Sequence, residues 1–257
     1  MSDLHLEVSR WDLPPKEQHP DSDVLIVAGD VTTKAERGVE WLRDRVRDRP
    51  IVYCMGNHEL YNQDADKSLQ KARLAARGSN VTVLNDDYMS FGGYEIIGAT
   101  MWTDFGLFGP EFIRRCMDCA RDRMNDYRKI RVNDYARRFT PEDALVRHMR
   151  TIKFLNHRVH DAPNSRRIVV THHSPEPIDV GEDLIAAAYC SAVDPALIAA
   201  LKCELWVSGH VHMSRDHVAG GTRFAGNPKG YGPFNGEKIA AWENPEFDPY
   251  KVVSVGP

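Results

Sequence analysis

Residues able to bind a metal or move a proton recur at the ends of apolar runs in this chain. Asp3 and His5 form an Asp-x-His pair at its start, Asp30 follows Gly29, and Asn57 and His58 lie within Gly56-Asn57-His58-Glu59. His172 and His173 are adjacent, and His210 and His212 form a His-x-His pair. One imidazole on an apolar run is more often a hydrogen-bonded core residue than a ligand. Several such runs are hard to explain by packing, because each buried imidazole or carboxylate needs a partner. A shared metal site supplies all the partners at once. Imidazoles mixed with carboxylates and a neutral amide, with no thiolate in any motif, suit Mn, Fe, Ni or Zn rather than a closed structural zinc site. Asp3, His5, Asp30, Asn57, His172, His210 and His212 are too many ligands for one tetrahedral ion and suit two ions sharing a carboxylate. Two ions about 3.5–4 Å apart can clamp the attacking and leaving oxygens of an in-line phosphoryl displacement. On an extended segment residues i and i+2 point the same way, so His210 and His212 can reach neighbouring metals.

Such a site needs strands to present it. Four β-branched-rich runs, within 23–30, 50–59, 167–173 and 204–212, read as buried strands that release their polar residues at the carboxyl end. Ligands bind beyond those ends in open α/β sheets. Apolar stripes at helical spacing over 34–48 and 65–78 predict helices between the first strands. Segments 80–86 and 94–102 read as two strands joined through Ser90-Phe91-Gly92-Gly93 in a hairpin-type link. A charged, mainly helical insertion follows at about 105–162, its clearest helix starting at Thr140-Pro141-Glu142-Asp143. A strand near Thr222 leads into a Gly/Pro-rich loop to Gly236, and 250–255 reads as a last short strand.

At 257 residues the chain suits one large α/β domain over 1–257. No apolar run approaches the roughly 18–20 residues of a membrane span, and no signal-peptide pattern opens the chain. A membrane partner is therefore not expected. Five scattered cysteines do not form a disulfide framework, which points to a reducing cytoplasm. Cys116 and Cys119 are formally Cys-x-x-Cys but read as one helical face. A net charge of −4 argues against coating nucleic acid by bulk electrostatics. Within 112–138, however, nine Lys/Arg face four Asp, a local excess of 9 − 4 = +5.

The ordered set Asp3-x-His5, Gly29-Asp30, Gly56-Asn57-His58-Glu59, His172 and Gly209-His210-x-His212 resembles the calcineurin-like metallophosphoesterases. The resemblance implies a metallophosphoesterase-type βαβ sandwich, two packed sheets flanked by helices. It also implies that Asp30 bridges two divalent ions. Asp3, His5 and His212 would complete one; Asn57, His172 and His210 would complete the other. His58 would bind the phosphate or protonate the leaving oxygen, Glu59 would orient the site, and a metal-bound hydroxide would attack. His173 would face substrate or support the ligands. The tail Gly226-Asn227-Pro228-Lys229-Gly230 and the segment 124–130 resemble those of bacterial members described only as phosphoesterases. Asn125, Tyr127 and Arg128 are therefore expected to face substrate from a cap, with a purely structural helix as the alternative. Asn227 and Lys229 are candidates of the same kind.

The expected activity is hydrolysis of a phosphomono- or phosphodiester, with a small phosphate ester as substrate. A nuclease or cyclic-nucleotide phosphodiesterase on the same site, which would make nucleic acid a partner, is the enzymatic alternative. A non-catalytic metal-binding scaffold is the other. Asp30 is followed by Val31-Thr32-Thr33 rather than the run of the protein Ser/Thr phosphatases, which argues against a phosphoprotein substrate. Family members place several apolar residues before the first motif, and here only Met1 and Ser2 precede it. The first strand is thus read as truncated, with a start set too late preferred over a protein that lacks the strand. A stub of this kind is expected to fray and to weaken metal binding at Asp3 and His5.

Overall fold

The computed structural model describes residues 1–178, 181, 183–232 and 242–256. β1 (Leu25–Ala28), β2 (Ile51–Cys54) and β3 (Val81–Leu84) form a parallel sheet in that order. Parallel neighbours need crossovers, here supplied by α1 (Ala35–Arg45) and α2 (Ala65–Ala76). Asp64 caps α2 by accepting from the backbone N–H groups of Asp66 and Lys67.

β4 (Asp87–Phe91) and β5 (Tyr94–Ala99) form a hairpin whose Gly92-Gly93 turn has positive φ at both residues. This corrects the pairing read from sequence. Segment 80–86 is not the partner of 94–99; it ends as β3 in the first sheet. Asp86, at φ 48°, turns the chain out of that sheet, and Ser90-Phe91 belong to an additional strand.

Segment 105–162, expected to be an insertion, carries α3 (Ile113–Arg123), α4 (Asp126–Lys129), the short pair β6 (Arg131–Val132) and β7 (Arg137–Arg138), and α5 (Pro141–Asp161). Thr140 and Asp143 close a reciprocal cap at the start of α5. β8 (Arg166–Thr171), α6 (Pro195–Leu201), β9 (Cys203–Val207), β10 (Arg215–Ala219) and β11 (Thr222–Gly226) follow. They complete a six-stranded sheet of order β10-β11-β9-β8-β5-β4, parallel within and antiparallel at both edges.

Side chains alternate along these strands and so separate the layers. Ala28, Val52, Cys54 and Leu84 meet Ile96, Ile168, Val170 and Leu205 between the two sheets. Val27, Tyr53 and Val83 face α1 and α2 on one outer side, and Val169 and Trp206 face Leu155 of α5 and Leu197 of α6 on the other. The result is the expected α/β architecture, two packed sheets flanked by helices. The inner layer is so close at Gly98 that an added Cβ would collide with the Leu84 side chain.

Met1–Leu6 runs beside β1. The backbone N–H groups of Asp3, His5 and Leu6 donate to Gly29, Asp30 and Val31, and Ala28 donates to Met1. On the other side Lys229 and Gly230 donate to Ser2 and Asp3. The sequence expectation of a strand over 250–255 is not met: Lys251–Val255 carries no ladder. That segment instead lines a cavity of about 420 Å³ together with Leu25 and Ile26 of β1. The Gly/Pro-rich loop lies outside the described residues from 233 onward.

Candidate metal centre

The strand ends converge as their sequence implied. The chain turns sharply after β1 at Gly29, whose φ is 86°, and Asp30, whose φ is 55°. Asp3, His5, His210 and His212 also have positive φ. Such backbone is costly for residues with a side chain and collects at functional sites. Glu59, fully buried, fixes the turn by accepting from the backbone N–H groups of Asp30, Val31 and Gly56 and from the Tyr53 hydroxyl. A Cβ at Gly56 would strike the Asp30 carboxylate, so this approach requires glycine.

Two groups of ligand atoms face each other across Asp30. In the first, His5 Nε2 is 3.0 Å from His212 Nε2, and His212 Nε2 is 3.4 Å from Asp3 Oδ1. In the second, His210 Nδ1 is 3.2 Å from His172 Nε2, which is 2.9 Å from Asn57 Oδ1. Asp30 Oδ2 lies 3.8 Å from His5 Nε2 and 3.4 Å from His172 Nε2, so a single oxygen reaches an imidazole of each group.

These contacts test whether a cation fits. His172 Nδ1 donates to the Ala28 carbonyl at 2.8 Å, so in the neutral ring Nε2 is a lone pair aimed at the Asn57 carbonyl oxygen. Two acceptors at that distance repel unless a proton or a cation lies between them. The protons are costly in a buried site: desolvation lowers the pKa of His5 and drives His210 well down. His172 and His212 oppose that trend. Burial works against their charge, yet Asp30 holds His172 up at about 9, and Asp3 with Glu243 hold His212 up at about 10. The donor set fits divalent cations, which would satisfy all of these groups together.

A third group lies beside the first. Glu7 Oε1 accepts from His58 Nδ1 at 2.7 Å and lies 3.3 Å from His5 Nδ1, while His58 Nε2 is 3.1 Å from the Tyr231 hydroxyl. Burial disfavours the imidazolium of His58, but Asp30 and Glu7 raise its pKa overall. His58 is thus held beside the metal-ligand groups with one nitrogen anchored. Sequence reasoning missed Glu7, Tyr231 and Glu243. For Glu7 one signal existed: its i+2 spacing from His5 continues the alternation of Asp3 and His5.

The expected substrate residues sit differently. His173 is fully buried behind the second group, its ring 4.2 Å from that of His210, with Nδ1 3.1 Å from the Thr100 carbonyl. Burial and His172 push its pKa down to about 3. Asn125 and Arg128 are exposed on the insertion, with the Arg128 guanidinium on the Asp122 carbonyl. Tyr127 is buried and stacked on Phe139. Asn227 pairs with the backbone of Asp248. Lys229 is buried, its ammonium donating to Ser9 and to the carbonyls of Gly230 and Gly232. Within the same segment Asp126 meets a candidate ligand, accepting from Asn57 Nδ2 at 2.8 Å.

Packed sheets that gather imidazoles, carboxylates and an amide at their strand ends fit a metal-dependent phosphoric ester hydrolase, and the family match makes the chain one. The chain belongs to the calcineurin-like phosphoesterase family, whose sequence pattern matches residues 1–214. Among curated proteins no sequence matches it. Its fold is similar to that of the phosphopantetheinyl hydrolase of Mycobacterium tuberculosis, with a TM-score of 0.67 at 20% identity, covering 90% of this chain and 88% of that one. A Staphylococcus aureus protein described as a 5'-nucleotidase superposes with a TM-score of 0.48 at 14% identity, over 89% of this chain and 47% of that one. Among the described residues no helix is long and apolar enough to cross a membrane.

Proposed function

We propose that this chain hydrolyses a phosphomono- or phosphodiester with two divalent cations, Mn, Fe, Ni or Zn. Asp3, His5 and His212 would hold one cation, Asn57, His172 and His210 the other, and Asp30 would serve both. The observation that carries this reading is the position of Asp30 Oδ2, within 4 Å of an imidazole from each group. When bound, such a pair supplies Lewis acidity for the phosphate oxygens and an acidified water as nucleophile. His58, anchored by Glu7, would donate its Nε2 proton to the leaving oxygen, and Tyr231 would set the direction of that nitrogen. Asn125 and Arg128, exposed within the basic segment, are retained as the cap-side contacts to a phosphate. The free cysteines support a reducing cytoplasm as its location.

The test is reconstitution with Mn²⁺, metal analysis, and turnover of p-nitrophenyl phosphate, bis-p-nitrophenyl phosphate and a phosphopantetheinyl ester. Two ions per chain and turnover of at least one ester are expected. His58→Ala should keep both ions and lose on the order of 10²–10⁴-fold in kcat. Asp30→Asn should lose both metal and turnover. A chain that loads two ions and turns over no ester in a broad panel would favour the scaffold reading.

A further inference from the structure

Segment 105–162 reaches the candidate metal centre through one buried carboxylate. Asp126 Oδ1 accepts from Asn57 Nδ2 at 2.8 Å and from the Tyr61 hydroxyl at 2.8 Å, and both Asp126 and Asn57 are almost wholly buried. On its opposite side the Asn57 amide presents Oδ1 to His172 Nε2 at 2.9 Å. We infer that Asp126 is a positioning residue, which fixes the Asn57 amide so that its oxygen faces the cation site; this rests on the reading of Asn57 as a ligand.

The physical reason lies in the symmetry of an amide. Its two ends have almost the same shape, and either can occupy either place. Only the oxygen can bind a cation. Turning the amide over would set that oxygen against the Asp126 carboxylate and aim two N–H donors at the cation. The carboxylate therefore makes one of two otherwise similar orientations strongly preferred. Its own placement is fixed by backbone: Asn62 donates to the Lys129 carbonyl at 2.9 Å, and Arg131 donates to Gln63 at 2.9 Å. These bonds stitch α4 to the loop that follows Asn57, with Ile130 fully buried between them.

The test is calorimetric titration of the metal-free full-length chain with Mn²⁺, alongside thermal melts. Asp126→Asn, which keeps shape but can donate or accept, should weaken one class of Mn²⁺ site by roughly 10–100-fold and leave the other unchanged. Asn57→Ala should lose that same class. Tyr61→Phe removes the second donor to the carboxylate and a weaker acceptor 3.3 Å from Asn57 Nδ2 but keeps the carboxylate that selects the amide's orientation, so it should lower the melting temperature while leaving both classes intact. Asp126→Ala replaces Asp126→Asn in the titration if the latter does not fold. Unchanged affinity in the Asp126 variants with a class lost in Asn57→Ala would overturn the inference and leave the metal centre standing. Equal weakening in Tyr61→Phe would reduce Asp126 to packing. Two intact classes in Asn57→Ala would overturn the ligand assignment itself.

Discussion

Glu7 Oε1 lies 2.7 Å from His58 Nδ1 and 3.3 Å from His5 Nδ1, so one carboxylate holds the proposed general acid and a candidate ligand together. Contacts with both imidazoles hold its pKa down at about 2 although burial works the other way. Replacing it by Gln keeps the shape and removes the charge. Because Asp30 and Glu7 raise the His58 pKa, Glu7→Gln should lower it. His58 must be protonated to act as an acid, so the alkaline limb of the kcat profile should move to lower pH. We expect kcat to fall roughly 10–100-fold, less than the roughly 10²–10⁴-fold that losing the general acid itself would cost. A pH–rate profile of the Mn²⁺-loaded variant checks this, and an unshifted limb would remove Glu7 from the proton path.

Metal-free and loaded chains should respond to pH in opposite ways. His172 and His212 have folded-state pKa values of about 9 and about 10. Groups raised in this way contribute stability that is full below their unfolded value near 6.5 and lost as pH rises through the folded values. The metal-free chain should therefore melt at progressively lower temperature above pH 7. A cation must displace the same protons, so metal binding strengthens with pH. The rise in melting temperature on adding Mn²⁺ should grow between pH 6.5 and 8.5, and a constant rise would show that neither imidazole binds the ion.

Arg128 tests the role of the insertion at the surface. It lies exposed beside α3, within the segment of +5 charge. A cap contact to bound phosphate would stabilise ground and transition states alike, so Arg128→Ala should raise KM severalfold with kcat unchanged. An unchanged KM would leave the segment with the structural role alone.

Gly98 tests the packing between the sheets. A methyl group there meets Leu84 across the inner layer, where neither backbone can yield without disturbing a ladder. Gly98→Ala should destabilise the chain by about 1–3 kcal/mol, as overpacked cores do. Urea unfolding measures it, and a loss below that range would mean the sheets can separate.

The strand ends, the helices α1, α2 and α5, and the candidate ligands from Asp3 to His212 that those ends bring together were legible in the sequence alone. These are local features: a β-branched run, a glycine turn and a polar residue lie within a few positions of one another. It failed where the outcome depends on distant partners. The hairpin was assigned to segment 80–86 because its pattern resembles that of any short strand, and only the sheet assembly decided that 87–91 pairs instead. Segment 250–255 has a strand's composition but lines a cavity instead of joining a ladder. The groups that orient the ligands were equally hidden. Glu7 meets His58 across 51 residues, Asp126 meets Asn57 across 69, and Glu243 meets His212 across 31. Periodicity reports whether a residue is buried, and only tertiary structure decides what it is buried against. For that reason Asn125, Tyr127 and Arg128 drew notice in the sequence, while the carboxylate beside them is the group that reaches the Asn57 amide.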